Sequence, residues 1–305
     1  MKELSPVLLF SYNRIHELKR TVANLENAML CDKTTLYLFS DGPKSDDDAE
    51  SVETVRVFLK SIRGFKKIIY KFSKKNKGLA TSIIEGVSEV LENHSNAIIL
   101  EDDLLVSNNF LVFMNNGLNY YQDYENILSV CGFNNTITTR KSDEYPYDVF
   151  FAKRSSSWGW ATWKKKWEGI DWEVKDFANI SQNKQEIKAF NIWGSDMYSM
   201  LRRQQKGKID SWAIRYCYHQ YRNDLYSVFP LVSKVKNIGF NDDATNTKGR
   251  NSRYVVNLDK TSQVNFEFME DIKVNQDIAK EFVALYSIRN RIKHKILNLL
   301  PFRLA

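Results

Sequence analysis

The sequence predicts an α/β protein in which helices flank a mostly parallel β-sheet. Over the first hundred residues, short apolar runs that suit buried strands alternate with longer segments that have the periodicity of amphipathic helices. Strands that alternate with helices form βαβ units, in which neighbouring strands are parallel. Hydrophobic residues make up 43% of the 305 residues, which is enough for a sizeable core.

Four strands and three helices are predicted before residue 101. The strands are short apolar or β-branched runs, and they cover residues 6–12, 34–40, 65–72 and 97–100. The helices repeat apolar side chains at helical spacing, and they cover residues 16–29, 46–62 and 79–94. Three aspartates open the second helix, where negative charge suits a helix N-terminus.

The pattern is mixed after about residue 108. The predicted elements are a helix over 108–124, a strand over 126–133, two helices within 194–223 that break at Gly207, and a strand over 225–240 that Pro230 disturbs. Five tryptophans lie between residues 158 and 172. No linker divides the chain, so we predict one domain over 1–255 and a C-terminal extension over 256–305.

The positive charge of the chain is concentrated near its C-terminus. The formal net charge is +7, and residues 286–305 contain five Lys or Arg and no acidic residue. The rest is near neutral, which argues against a diffuse nucleic-acid surface, and no nucleic-acid partner is predicted.

The same tail has the pattern of a basic amphipathic helix. Cations flank a stripe of apolar side chains at helical spacing, made of Leu285, Ile288, Ile292, Ile296 and Leu299. We predict that this helix binds an anionic membrane surface. The alternatives are docking on the core of the protein itself, or a dimer contact.

Neither a leader nor a spanning segment is predicted. The first apolar run is too short for a signal peptide, and no run approaches the length of a spanning helix. The three cysteines are scattered and odd in number, which favours a cytoplasmic protein with buried thiols. Together with the tail, this predicts a peripheral protein on the inner face of the cell membrane.

Three adjacent carboxylates, Glu101, Asp102 and Asp103, follow the fourth predicted strand. Their burial is costly unless something compensates their charge, and Mg²⁺ or Mn²⁺ commonly binds one or two carboxylates together with substrate phosphates. Polar residues also follow the first and second strands, at 12–14 and 41–42. Ligands of open α/β sheets bind outside the carboxyl ends of the strands. The sequence therefore predicts a site there, with Mn²⁺ or Mg²⁺ as cofactor.

Four motifs at consecutive strand ends together resemble the glycosyltransferases of the GT-A fold. They are FSYNR, SDGP, NKGLATSIIEGV and EDDLLVSNNF, and WGWATW, IDSWAIRY and NIGFNDDATNT follow later. The likeness is strongest to bacterial family 2 enzymes and to the branch related to N-acetylglucosaminyltransferase I. It covers about residues 5–250.

The resemblance implies which residues bind a nucleotide-sugar donor. Asp103 would coordinate the metal, and Glu101 and Asp102 would reach the ribose and sugar hydroxyls. The remaining implied donor contacts are Ser11, Tyr12, Arg14, Asp41, Lys77 and Gly78. For Asp41 the alternative is a plain turn, and for Lys77 a solvated charge run. Asn246 stands where many relatives have a histidine, and since an amide is a poorer metal ligand, its part in the metal site stays open.

The later motifs supply the acceptor side. Trp158, Gly159 and Trp160 are predicted to frame the acceptor, because indole rings stack on the C–H faces of sugars; core packing is the alternative. Inverting transfer needs a carboxylate that takes the proton of the acceptor hydroxyl. Asp210, two residues before Trp212, is the predicted base, with Asp196 in reserve and an N-cap role as the alternative for Asp210.

The predicted function is metal-dependent, inverting transfer of a hexosyl or N-acetylhexosaminyl group from a UDP-sugar to a hydroxyl of a glycan or lipid-linked acceptor. The resemblance implies a setting in bacterial surface polysaccharide synthesis, of lipopolysaccharide or capsule. One alternative is a sugar nucleotidylyltransferase, against which the lack of glycine in FSYNRIHEL argues. The other is a non-catalytic nucleotide-sugar-binding module, against which the retained Asp103 and Asp210 argue.

Overall fold

A computed structural model gives the fold and describes residues 4–139, 141–240, 254 and 256–299. The side chains of residues 298 and 299 are not described. The strands are β1 (Val7–Ser11), β2 (Thr35–Ser40), β3 (Lys67–Phe72), β4 (Asn96–Glu101), β5 (Leu104–Val106), β6 (Ile127–Cys131), β7 (Val149–Ala152), β8 (Trp160–Trp163), β9 (Tyr226–Pro230) and β10 (Val235–Asn237).

The helices lie between and after these strands. They are α1 (Ile15–Glu26), α2 (Asp46–Ser61), α3 (Leu79–Asn93), α4 (Phe110–Tyr120), α5 (Lys164–Trp167), α6 (Phe177–Gln182), α7 (Lys184–Phe190), α8 (Met197–Gln205), α9 (Trp212–Arg222), α10 (Gln276–Ala284) and α11 (Ile288–Leu299). No helix in the described part of the chain is both long and apolar enough to cross a bilayer.

Eight strands form one sheet in the order β3-β2-β1-β4-β8-β6-β9-β7, and β5 and β10 pair separately. The pairs β1–β2, β2–β3, β1–β4 and β6–β9 are parallel, whereas β8 runs antiparallel between β4 and β6, and β7 antiparallel to β9. The predicted mostly parallel sheet with flanking helices is therefore confirmed.

Helices cover both faces of the sheet. In β1, Val7 and Leu9 point into a core with α1, α2 and α4, while Leu8 and Phe10 point into a second core with α3 and α9. Alternate residues of a strand face opposite sides, so a strand covered on both sides reads as a continuous apolar run.

The first hundred residues follow the prediction closely, whereas several later elements, among them β7, α6 and α7, were not predicted. The four predicted strands correspond to β1–β4 and the three helices to α1–α3. Within the tryptophan-rich segment, β8 was not predicted. The single strand predicted over 225–240 is two strands, because β9 ends at Pro230 and β10 begins at Val235. The C-terminal helix is preceded by a separate helix, α10.

Residues after 255 pack on the first core. Val256, Met269, Ile278, Phe282 and Tyr286 are all buried there. The apolar stripe of the tail is thus divided: Leu285 packs against the core, whereas Ile288, Ile292 and Ile296 on α11 are 62%, 54% and 55% exposed. The side chain of Leu299 lies outside the described residues.

Candidate active site

A cavity of about 1460 Å³ lies at the carboxyl ends of β1, β2 and β4. Most of the predicted site residues line it, although they come from distant parts of the chain. These residues are Ser11, Tyr12, Arg14, Asp41, Lys77, Gly78, Glu101, Asp102, Asp103, Trp158, Asp196 and Asp210. Gly159 and Trp160 are not among the lining residues, and Asn246 lies outside the described residues.

The acidic triplet forms the deepest charged part of this cavity. Glu101 ends β4, and Asp102 and Asp103 form the turn into β5. Asp102 Oδ2 accepts a hydrogen bond of 3.2 Å from the backbone N–H of Tyr12. The Arg14 guanidinium lies 3.0 Å from Asp103 Oδ2 through Nη1 and 3.4 Å from Glu17 Oε1 through Nη2. The single guanidinium of Arg14 is therefore shared between Asp103 and Glu17.

The charges of the triplet are incompletely compensated. Burial, reinforced by the neighbouring Asp103, raises the pKa of Asp102 from 3.8 to about 7. Burial and the two aspartates raise the pKa of Glu101 well above its ordinary value. Burial also raises the pKa of Asp103, although Arg14 opposes this. Oδ1 of Asp103 is buried without a hydrogen-bond partner among the described residues.

These features fit a divalent cation that the protein holds through few ligands. The donor atoms are all carboxylate oxygens, which hard cations prefer, and one of them is orphaned. Within the described residues, no three His, Cys, Asp or Glu side chains are arranged to hold a metal by themselves. Such a site would need oxygens from a ligand, as in magnesium sites completed by substrate phosphates.

The segment after β10 closes over Asp103. The backbone N–H of Ile238 donates to the carbonyl of Asp103 at 2.9 Å. A Cβ atom at Gly239 would lie 1.9 Å from Oδ2 of Asp103, so only glycine permits this approach. Because the N–H of Gly239 also donates to Asn237, its backbone is fixed against the carboxylate.

Asp41 organises the loop that follows β3. Its carboxylate accepts hydrogen bonds from the backbone N–H groups of Gly42, Lys77 and Gly78, at 2.9 to 3.0 Å. Gly78 has a φ of +77°, which glycine adopts without strain. Asp41 thus lines the cavity and also performs the turn-stabilising role that was its alternative. Lys77 makes an exposed ion pair of 2.7 Å with Glu85.

Two positioning residues, Arg56 and Asp48, were missed because both lie within the predicted second helix. Arg56 of α2 donates to Ser40, to the carbonyl of Asp41 and to the carbonyl of Ser73, and so links the ends of β2 and β3. Asp48 accepts from the Tyr12 hydroxyl at 2.8 Å and from the Asn13 side chain at 3.2 Å. No local sequence signal separates either residue from the solvated face of a helix.

The two predicted acceptor-side tryptophans lie in different environments. Trp158 lines the cavity and makes edge contacts with Phe133 and Tyr254. Trp160 is 1% exposed and stacks on Trp167 and Trp212 in the second core, so the prediction for Trp160 is corrected: its alternative, core packing, applies.

Gly159 is also buried behind the cavity wall. Its φ is +63°, and an added Cβ would meet Val235 at 2.6 Å. It shapes the turn into β8, and the prediction that it frames the acceptor is corrected accordingly. Trp160 faces the core because it is the first residue of β8, whose pleat turns its side chain to the α9 side.

Asp210 lies in the cavity with its carboxylate available. The N-cap of α9 is Ser211, whose side chain accepts from the N–H of Ile214, so the helix does not require Asp210 as its cap. Oδ1 of Asp210 is 3.3 Å from Arg215, and its side chain is 59% exposed. A Cβ at Gly78 would lie 3.8 Å from Oδ2 of Asp210, which brings this carboxylate to the N-terminus of α3.

Asp196 is committed to another partner. Both of its oxygens accept from the Arg154 guanidinium, at 2.8 and 3.0 Å, and the pair is largely buried. Burial alone would raise the pKa of Asp196, but Arg154 outweighs it and holds that pKa below its ordinary value. The Arg154 guanidinium stacks 3.7 Å above the ring of Tyr286. Tyr286 precedes α11, so the C-terminal segment contributes to this wall.

Comparisons with known proteins find distant structural likeness only. No family model matches the chain, and no curated protein matches it. A mannosyltransferase from Pyrobaculum calidifontis, PcManGT, solved with GDP-Man and Mn²⁺, is similar at 12% identity and a TM-score of 0.37, over 64% of this chain and 53% of that one. TarS from S. aureus is similar at 8% identity and a TM-score of 0.33, over 46% of this chain and 23% of that one. The chain thus spans about half the length of the first protein and less of the second.

Proposed function

We propose that this chain is a metal-dependent glycosyltransferase of the GT-A type that uses a UDP-sugar donor. The observation that carries the proposal is one cavity that gathers the acidic triplet, three other strand-end motifs and a separate carboxylate, Asp210. Parallel strand order alone brings the strand-end motifs to one edge of the sheet, but Asp210 reaches the same cavity from the turn before α9, in a later part of the chain. UDP and the branch related to N-acetylglucosaminyltransferase I remain expectations from the sequence resemblance.

The donor end is formed by the carboxyl ends of β1, β2 and β4. Asp103 would hold Mn²⁺ or Mg²⁺, which when bound would neutralise the charge that develops on the leaving diphosphate. Glu101 and Asp102 would orient ribose and sugar hydroxyls. The loop held by Asp41 presents the Gly78 backbone to the cavity, where lack of a side chain allows close approach of a nucleotide.

The acceptor end supports inversion with Asp210 as the base. A carboxylate must accept the proton of the attacking hydroxyl, since that hydroxyl is a weak nucleophile. Asp210 is exposed to the cavity and free of capping duty, whereas both oxygens of Asp196 are occupied by Arg154. The geometry therefore favours Asp210 over its reserve.

Substitution of Asp210 by Asn tests this assignment. The change preserves size and removes basicity, so transfer from the UDP-sugar should fall by roughly a hundredfold or more, a typical general-base contribution. UDP and Mn²⁺ should bind as in the wild type. The control is Asp224→Asn, which changes an exposed aspartate whose carboxylate pairs with Lys153. Near-wild-type turnover by Asp210→Asn would exclude it as the base.

We also propose that α11 anchors the enzyme on an anionic membrane, on the cytoplasmic face, where it would serve bacterial surface polysaccharide synthesis. Ile288, Ile292 and Ile296 are exposed along one side of the helix, and Arg291 and Lys295 flank them. Basic amphipathic helices bury such a stripe at the lipid interface, and each cation adds about 1 kcal/mol near an anionic surface. A glycan or lipid-linked acceptor would be reached there.

Replacing the three isoleucines tests the membrane proposal. Ile288→Ser, Ile292→Ser and Ile296→Ser together should release the full-length protein from vesicles containing phosphatidylglycerol at low salt. Val57→Ser is the control, because Val57 is 60% exposed but lies on α2 rather than on the C-terminal helix. Truncation at residue 275 is less informative, since it removes the buried Ile278, Phe282 and Tyr286. Equal vesicle binding by the triple variant and the wild type would contradict the proposal.

A further inference from the structure

The acceptor end of the cavity has a wall formed by Arg203, Lys208 and Arg291, which we call the cationic wall. All three residues line the cavity. On α8, Asp196, Met200 and Arg203 follow at intervals of four and three residues and so share one helix face. Lys208 follows that helix, and its backbone N–H donates to the carbonyl of Arg203 at 2.9 Å. Arg291 approaches the start of α8 from α11, through a bond of 3.2 Å to Ser195 Oγ.

The three cations of the wall differ from most other cations of the cavity in their ion-pair partners. Within the described residues, none of them has a carboxylate at ion-pair distance, whereas most other cations of the cavity do. The nearby Asp196 is already neutralised by Arg154, with which it forms a bidentate pair. The wall therefore has a net positive charge that faces the cavity.

The charge of the cavity is thus separated along its length. The end near β4 holds Glu101, Asp102 and Asp103 against Arg14, and the end near α8 holds the unpaired cations. Binding a neutral sugar does not require a net charge, whereas a cleft lined by one sign of charge concentrates ligands of the opposite sign. Guanidinium groups match phosphate oxygens in particular, because their N–H groups donate in a fixed fork.

We propose, on the basis of the glycosyl transfer proposed above, that the acceptor carries a phosphate group and that the cationic wall binds it. Arg203, Lys208 and Arg291 would then determine acceptor specificity, while Asp210 acts at the hydroxyl. Two sources supply this chemistry: a lipid phosphate in the membrane that α11 would contact, or a soluble sugar phosphate.

The test measures phosphate binding in protein already saturated with UDP and Mn²⁺, so that the donor end is filled. The soluble probe is glucose 1-phosphate, with glucose as its neutral control. The lipid probe is farnesyl phosphate in phosphatidylcholine vesicles, with plain phosphatidylcholine vesicles as control. The variant combines Arg203→Gln, Lys208→Gln and Arg291→Gln. The matched control loses equal charge through Lys33→Gln, Lys165→Gln and Lys188→Gln, all exposed and outside the cavity lining.

The wall variant should bind the phosphate probes at least roughly tenfold more weakly than the wild type, which corresponds to the loss of a charge-assisted contact. It should bind UDP as tightly as the wild type. If the lipid probe binds more tightly than the soluble one and the same variant weakens it, the source is a lipid phosphate; if only the soluble probe shows binding that the variant weakens, it is a soluble one.

Two outcomes overturn the inference: unchanged phosphate binding by the wall variant, or an equal loss in the control variant. A parallel loss of UDP affinity would overturn it too, by placing the wall at the donor end. If the wild type shows no metal-linked UDP binding at all, the proposed function fails instead.

Discussion

Among single residues, Asp102 most clearly shows that the candidate site lowers the stability of the folded protein. Its carboxyl is 8% exposed and lies beside two other acids, so ionisation in the metal-free protein is unfavourable. Asp102 therefore destabilises the folded protein locally, and strained or destabilising residues concentrate at functional sites. The triplet is therefore better explained by ligand binding than by folding.

This cost predicts an unusual pH dependence of stability in the presence of EDTA. Because the pKa of Asp102 is raised from 3.8 to about 7, the folded state binds more protons than the unfolded state between those values. The contribution of Asp102 therefore makes the protein less stable as the pH rises through that window, by at most about 4 kcal/mol. Asp102→Asn lacks this loss, so its stability relative to the wild type should improve from pH 4 to pH 8.

Urea unfolding at pH 4, 6 and 8 measures that difference. The exposed and uncharged Ser61 supplies the control, since Ser61→Ala changes no titratable group and should shift stability by a constant small amount across the same range. A difference between Asp102→Asn and the wild type that does not change with pH would contradict the raised pKa.

Residue identity predicted the lining of the cavity near β4 better than its lining near α8 and α9. Glu101, Asp102 and Asp103 could be found because three acids after an apolar run are unusual in sequence. Two features could not be found from the sequence: the capping role of Ser211 and the pairing of Asp196 with Arg154. Each depends on how the backbone orients two adjacent polar residues, which are Asp210 and Ser211 in the first case and Ser195 and Asp196 in the second. Likewise, nothing in the local pattern distinguishes Trp158 in the cavity from Trp160 in the core.

Among the elements, the C-terminal segment is joined to the rest of the protein by a buried ion pair as well as by its apolar side chains. Lys234 and Asp259 form it with side chains only 5% and 4% exposed, and Lys234 lies against the rings of Phe113 and Phe266. Asp259 also accepts from Asn109 at 3.0 Å and from the N–H of Thr261 at 2.8 Å. The ion pair and these hydrogen bonds hold the segment 256–286 beside β10, the strand that leads to Gly239.

Asp259→Ala should destabilise the protein by about 3–5 kcal/mol, because it leaves the Lys234 ammonium buried without a partner. Asp277→Ala breaks the exposed Lys280–Asp277 pair, whose side chains are 76% and 83% exposed, and should cost less than about 1 kcal/mol. Thermal or urea unfolding of both variants checks this. Equal losses in the two would show that the Lys234–Asp259 pair does not fasten the segment.

Local pattern also explains which elements the sequence predicts. The strands β1–β4 and the helices α1–α3 are each recognisable alone, since short apolar or β-branched runs alternate with segments of helical period. In contrast, β8 has only four residues and inserts antiparallel between β4 and β6, a long-range pairing that no local period encodes. Helix α10 was not predicted, and it ends at Ala284, directly before Leu285, where the predicted stripe of the tail begins.

At the scale of the whole molecule, the fold brings together two ends of different charge and a C-terminal helix that reaches the cavity. The acidic end is formed by strands from the first third of the chain, and the basic end by α8 and α11 from its second half. Tyr286, which stacks on Arg154, directly precedes the helix with exposed isoleucines. Acceptor binding and membrane contact are therefore adjacent in the proposed enzyme.

The central claim is that the acidic triplet is a metal-linked nucleotide site, and UDP affinity with and without Mn²⁺ tests it most directly. Wild-type protein and Asp47→Asn should bind UDP at least roughly tenfold more tightly with Mn²⁺, a gain of about 1.4 kcal/mol. Asp103→Asn should lose that gain while keeping the fold, as judged by circular dichroism. An equal Mn²⁺-dependent gain in Asp103→Asn, or no gain in the wild type, would contradict the claim.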